Sequence, residues 1–157
     1  AGPLREPVAT GLARADLVLA IGPDAAQIRL QDQWHAQISK PLVRAELKPL
    51  QMGMGWQGER VIAFAGIGRP AKFFATLRAE GAILVRAEAL DDHQPLSEPL
   101  LKRLEFEAFA TGAQLVTTEK DAARLPPQWR AKVLTLVVRL QVEDWSALDA
   151  QLDRIGL

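Results

Sequence analysis

The sequence predicts an α/β protein, with a mostly parallel sheet flanked by helices, and three observations carry that prediction. Val61-Ile62-Ala63-Phe64-Ala65 is a strand-forming run that passes through Gly66-Ile67-Gly68-Arg69-Pro70 into Phe73, Phe74 and Leu77 at helical spacing, the first half of a βαβ unit. Three later strand-forming stretches, at 82–85, 115–118 and 133–138, are separated by helical patterns, and strands that alternate with helices lie parallel. Upstream, Leu17-Val18-Leu19-Ala20-Ile21 is continuously apolar and closed by Gly22-Pro23, as a strand buried on both faces would be.

Composition narrows the function classes. The 157 residues are 48% hydrophobic, enough for a substantial core. The 19 basic residues balance the 19 acidic ones, so the overall field gives no reason to expect nucleic acid as a partner. There is no cysteine and only two histidines, so no metal site is assigned; the acidic residues could at most contribute to a magnesium site completed elsewhere. No apolar run approaches the roughly 18 residues of a membrane-spanning helix, and the chain is expected to be soluble, with peripheral membrane contact left open. It begins at Ala1-Gly2-Pro3 without an initiator Met, so we expect it to be a piece of a longer protein.

Taken in order, Gly2-Pro3-Leu4-Arg5-Glu6-Pro7 is turn-rich and stiffened by its prolines, and a short helical stretch follows up to Ala15. The strand at 17–21 needs neighbours on both sides. Asp24 is placed to cap a short helix through Leu30, with Trp34 and Ile38 one turn apart and His35 at the surface. Val43, Ala45 and Leu47 alternate with Arg44, Glu46 and Lys48, which predicts a strand at an edge or in a ribbon between domains, and the glycine-rich turn at 52–58 marks a boundary. Pro70 suits the first helical turn, and Gly81 the helix end. Ser97 is positioned to cap a helix whose apolar face is Leu101, Leu104 and Ala108 and which Gly112 stops. Thr118 and Asp121 form a capping pattern, Pro126-Pro127 breaks the chain, and Trp145, Leu148, Leu152 and Ile155 mark a closing helix.

Few constellations carry chemistry. Gly66-Ile67-Gly68-Arg69-Pro70-Ala71 matches the Gly-x-Gly-x-x-Gly/Ala dinucleotide fingerprint, with Glu88 about 20 residues on as the ribose acid of a Rossmann-type module. Pro70 removes a backbone donor and Arg69 crowds the pyrophosphate position, so a plain strand-to-helix turn competes with that reading. Asp91-Asp92-His93 follows the carboxyl end of a strand, where α/β sheets place ligands, and a histidine beside carboxylates suits a base or a group that orients one. Thr117-Thr118-Glu119-Lys120-Asp121 ends another strand on the same edge and reads first as a helix cap with surface charge. No phosphate loop of the Gly-x-x-x-x-Gly-Lys-Ser/Thr type is present.

Gly2-Pro3-Leu4-Arg5-Glu6-Pro7, Phe64 to Pro70 with Lys72-Phe73-Phe74, Asp92-His93, and Leu115 to Ala122 with Arg124-Leu125 occur here in one order. Together they resemble the C-terminal half of the tetraacyldisaccharide 4′-kinases, which phosphorylate a glucosamine disaccharide lipid in lipid A biosynthesis. The resemblance spans nearly the whole chain and displaces the dinucleotide reading; a partner-binding domain without catalysis is the other alternative. It implies that residues 1–41 complete a P-loop nucleotide-binding domain, that 42–58 is a β-ribbon linker, and that 59–157 is a Rossmann-like C-terminal domain. It also implies an active site in the cleft between the halves. There His93 supports the catalytic carboxylate of the other half, Asp92 assists, and Arg5 faces the phosphates with Glu6 beside it. ATP and Mg2+ are implied as cofactors bound mainly by the N-terminal half. The implied partners are the lipid disaccharide, that half, and the cytoplasmic face of the bacterial inner membrane. Around the histidine, Leu90-Asp91-Asp92-His93-Gln94-Pro95-Leu96 departs from the family pattern in lacking its aromatic residues.

Overall fold

The computed structural model describes residues 6–50, 53, 55–92 and 94–156. In chain order the elements are helix α1 (Val8–Ala13), strand β1 (Val18–Ile21), α2 (Asp24–Trp34), β2 (Leu42–Pro49), β3 (Arg60–Ala65), α3 (Pro70–Ala79) and β4 (Ile83–Ala89). There follow α4 (Glu98–Thr111), β5 (Gln114–Thr118), α5 (Glu119–Arg124), α6 (Pro127–Arg130), β6 (Val133–Leu136), β7 (Val138–Val142) and α7 (Ser146–Arg154). They fall into two compact units. One holds the described residues through Lys48 together with those from Arg139 on; the other is Pro49–Val138.

In the Pro49–Val138 unit the strands form one parallel sheet in the order β4-β3-β5-β6. Strand residues alternate between faces, and β3 is apolar on both, so each face carries its own core. Ile62 and Phe64 pack with Leu101, Leu104 and Ala108 of α4 and with Trp129 of α6. Val61, Ala63 and Ala65 pack with Phe73, Phe74 and Leu77 of α3. The predicted punctuation holds here. Pro70 opens α3, Gly81 (φ +89°) follows its end, and Gly112 stops α4 in the left-handed conformation at φ +60°. Ser97 takes the N-cap position of α4 without a side-chain cap bond, whereas Thr118 caps α5 by accepting the Asp121 N–H.

The other unit has a three-stranded sheet, β1-β2-β7, in which β1 and β2 run parallel. Buried Gln27 of α2 ties the two strands at their carboxyl ends: its amide nitrogen donates to the carbonyls of Ala20 (2.8 Å), Gly22 (3.1 Å) and Ala45 (3.3 Å). Four expectations change here. The run 17–21 is not buried on both faces: Ala20 is buried, while Leu19 and Ile21 are 45% and 55% exposed, because β1 has β2 as its neighbour among the described residues and no strand beyond it. The alternating strand lies in the middle of its sheet, between β1 and β7, rather than in a ribbon; a sheet covered on one face gives the same alternation to a central strand as to an edge. The strand expected at 133–138 spans the end of one strand and the start of another. β6 ends at Leu136 beside β5, and β7 begins at Val138 and joins β2, so the tail groups with the residues before Lys48; nothing of turn type interrupts the run to signal the change. Helix α2 also starts at Asp24, with Pro23 rather than Asp24 at the N-cap position, and continues past Leu30 to Trp34.

Candidate functional site

The sheet order of the Pro49–Val138 unit decides where a ligand site can form. From β3 the chain crosses to β4 on one side, and from β4 it returns past β3 to β5 on the other, so the connections leave β3 and β5 in opposite directions. The crevice outside the carboxyl ends of such a strand pair is where α/β sheets hold ligands. Three segments singled out in the sequence meet there: Gly66 to Gly68 after β3, Asp91 to Gln94 after β4, and Thr118 to Asp121 after β5.

Asp121 is the hub. It is fully buried, and its Oδ2 accepts the Gly66 N–H (3.0 Å) and the Thr118 hydroxyl (2.9 Å). Its Oδ1 lies 3.3 Å from an Arg124 guanidinium nitrogen, which also donates to the Gln94 carbonyl at 2.7 Å. A buried carboxylate is tolerable only with such compensation. Beside it the Thr117 hydroxyl donates to the Phe64 carbonyl (2.8 Å), joining β5 to β3. Asp91 and Gln94 are tied twice, by the Gln94 N–H on the Asp91 carbonyl (2.9 Å) and the Asp91 N–H on the Gln94 side-chain oxygen (3.0 Å). Gly66 is a place of close approach, where a Cβ would stand 3.2 Å from the Asp91 carbonyl oxygen, tighter than an ordinary contact. A Cβ on Gly68 would lie 4.0 Å from an Asp92 carboxylate oxygen, which places Asp92 beside the glycine loop.

His93 and Arg5 lie outside the described residues. Glu6 is described, and both its oxygens are taken by Arg14, at 2.5 and 2.6 Å. That hydrogen bonding holds the Glu6 carboxyl below the usual carboxylate range. A Cβ on Gly11 would sit 3.3 Å from Glu6 Oε1, so glycine clears the space for the pair. In the same unit Gln31, Asp32, His35, Ile38, Lys40 and Leu42 line a pocket of about 560 Å³, which contains none of the predicted site residues.

Glu88 does not stand free as a ribose acid. Its carboxylate accepts from Arg103 (2.7 Å) and Arg86 (2.7 Å), and Arg86 reaches on to Glu107 (2.9 Å). Burial alone would raise the Glu88 pKa, but the two guanidinium groups outweigh it and hold the group below its ordinary value. The glycines of the fingerprint therefore serve the turn and the approach of Asp91. Among the described residues no group of three or more His, Cys, Asp or Glu side chains is arranged to hold a metal ion.

The family profile described as tetraacyldisaccharide-1-P 4′-kinase matches residues 1–156. The chain belongs to the tetraacyldisaccharide-1-P 4′-kinase family. It is 58% identical over 156 residues to the tetraacyldisaccharide 4′-kinase of Dinoroseobacter shibae, covering 99% of this chain and 46% of that protein. To the Jannaschia sp. tetraacyldisaccharide 4′-kinase it is 55% identical over 155 residues, again 99% of this chain and 47% of the relative. The crystal structure of Aquifex aeolicus LpxK in complex with ATP matches with a TM-score of 0.64 at 20% identity, over 98% of this chain and 46% of that one, a likeness of fold. The chain thus spans about half the length of the curated relatives it matches. The stretch from Leu115 to Leu125 supplies the Thr118, Asp121 and Arg124 of the hub. The sequence pattern flagged Thr118 with Asp121 as a cap, but not the carboxylate's bond to Gly66 or the reach of Arg124 to Gln94, contacts far apart along the chain. The Glu6–Arg14 pair was equally silent, its one trace being Gly11 between the partners.

Proposed function

We propose that this chain is the C-terminal part of an ATP-dependent lipid kinase that transfers the γ-phosphate of ATP to the 4′-hydroxyl of a tetraacyldisaccharide 1-phosphate, in lipid A biosynthesis. The observation that carries this is the 58% identity to a tetraacyldisaccharide 4′-kinase across 99% of the chain. In this reading residues 1–41 complete a P-loop domain that lies mostly outside the chain. That domain, not the residues described here, holds most of the ATP and Mg2+. The sequence carries no phosphate loop, and in this reading the chain needs the other half for activity.

Phosphoryl transfer depends on positioning and on neutralising charge, and the residue types suit both. Arg5 faces the phosphates. His93, assisted by Asp92, supports the carboxylate that accepts the proton of the attacking hydroxyl. Glu6, held by Arg14, braces the segment that carries Arg5. Contact with the lipid substrate is peripheral, at the cytoplasmic face of the inner membrane; no helix among the described residues is long and apolar enough to cross one.

The test is ATP-dependent 4′-phosphorylation by the full-length protein. Replacing His93 with Ala lowers turnover by about 10²-fold while the melting temperature holds. Unchanged turnover would remove His93 from the mechanism, and absence of 4′-phosphorylation in the unmodified protein would end the kinase reading.

A further inference from the structure

We propose that the outer face of α4, carried by Phe106 and Phe109, is a lipid-contact surface that seats the two rings at the acyl boundary of a bilayer; this rests on the kinase reading above, which gives the protein a lipid to meet. Helix α4 is apolar on two sides. Leu101, Leu104 and Ala108 are buried in the core of the Pro49–Val138 unit, as one stripe of a surface helix should be. Phe106 and Phe109 lie off that stripe and belong to neither core. They are 74% and 88% exposed, the two highest values among the large apolar side chains of the described residues. Three residues apart, they are neighbours on the helix surface, with exposed Ala110 beside them. A single exposed ring needs no explanation, but adjacent ones form a patch, and apolar patches mark contact surfaces.

The chemistry around the rings selects the partner. Lys102 is paired with Glu98 (3.2 Å), Arg103 with Glu88 (2.7 Å) and Lys132 with Glu105 (2.6 Å). Each of these cations is matched by a carboxylate, so the face has no surplus charge to offer a nucleic acid or a strongly acidic surface, and its attraction is apolar. Area then separates a second copy of this chain from a lipid surface. The two side chains expose about 300 Å² together, and the same face on a second copy would bring the total to about 600 Å², well short of the roughly 1,200 Å² at which specific interfaces begin. A bilayer sets no such minimum, because it moulds to what enters it and binding grows with the apolar area inserted. Lys102, one turn before Phe106, can lay its stem along that boundary and keep its ammonium among the headgroups.

The experiment follows the full-length protein onto phosphatidylcholine vesicles by co-sedimentation, unmodified and with Phe106→Ser and Phe109→Ser together. The double variant is expected to partition at least about tenfold more weakly, with melting within a few degrees, and the ratio should hold in about 0.5 M salt. Phe109→Trp supplies a reporter whose added emission vesicles brominated on the acyl chains should quench; it carries the decision if the double variant does not fold. With the lipid substrate dispersed in detergent the double variant keeps wild-type kcat, whereas with substrate in vesicles its rate falls with its partition. Equal partition, or a tryptophan that the bromines leave unquenched, overturns the proposal. Two outcomes would also name another occupant and overturn it. Equal partition with melting several degrees lower means that the rest of the protein covers the face, and a concentration-dependent dimer that the double variant loses means that a second copy does. Absence of 4′-phosphorylation in detergent by the unmodified protein would end the kinase reading, and the vesicles would still decide the surface.

Discussion

The two units treat equally apolar strands in opposite ways. In Pro49–Val138, β3 is fully buried from Val61 to Ala65, with α3 against one face and α4 against the other. In the other unit β1 is just as apolar, yet Leu19 and Ile21 are about half exposed, and so are Ile28 of α2 and Leu47 of β2. Hydrophobic sequence states what a strand requires; the layers around it decide whether the requirement is met. The Pro49–Val138 unit meets its own. The other presents apolar side chains that, in the proposed reading, the rest of a P-loop domain covers.

The largest effect separates the units directly. Leu104→Ala empties a fully buried site on α4 and should cost about 3 to 4 kcal/mol, whereas Ile21→Ala removes a side chain already 55% exposed and should cost under about 1 kcal/mol. Urea unfolding of the two variants measures both, and equal costs would collapse the distinction.

A second, smaller effect tests how closely the Pro49–Val138 unit is packed. Gly81 and Gly112 both have positive φ, but a Cβ on Gly81 would meet Gln57 Oε1 at 2.0 Å and Gln57 Cα at 3.2 Å, while one on Gly112 meets nothing within 4 Å. Gly112→Ala should therefore show the backbone strain alone, about 1 kcal/mol, and Gly81→Ala about 2 kcal/mol, since Gln57 must also move. Thermal melts that rank the two in reverse would mean that the turn at Gly81 adjusts freely.

What could be read from the sequence follows the same division. The Pro49–Val138 sheet was legible because each strand is a local run bounded by local punctuation: Pro70, Gly81, Gly112 and the Thr118 cap all sit where their chemistry requires. The β7 strand was not, since Val133 to Val138 reads as one strand with no turn residue inside it, and the break after Leu136 depends on which sheet each side joins. In the candidate site, the segments after β3, β4 and β5 could be located from strand ends alone. The bond from Gly66 to Asp121, 55 residues apart, and that from Arg124 to Gln94, 30 apart, could not, because no short-range pattern encodes them.

The smallest effect concerns Glu88, which the fingerprint had offered as a ligand contact and which the structure spends on holding edge strand β4 to α4. Its carboxylate is bound by Arg86 and Arg103, and although burial pushes its pKa up, those bonds bring it below the ordinary glutamate value. A carboxyl whose pKa is lower folded than unfolded adds stability that is complete above the unfolded pKa, about 4.5, and is lost as pH falls through the folded one. Glu88→Gln should thus cost about 1 kcal/mol near pH 7, discounted for the partial exposure of both arginines, and the gap to wild type should stay level down to about pH 5 and close below about pH 4.5. Denaturant melts across that range check it. If the gap instead widens in acid, the carboxylate is destabilising as a charged group, and β4 is held to α4 by packing rather than by this ion pair.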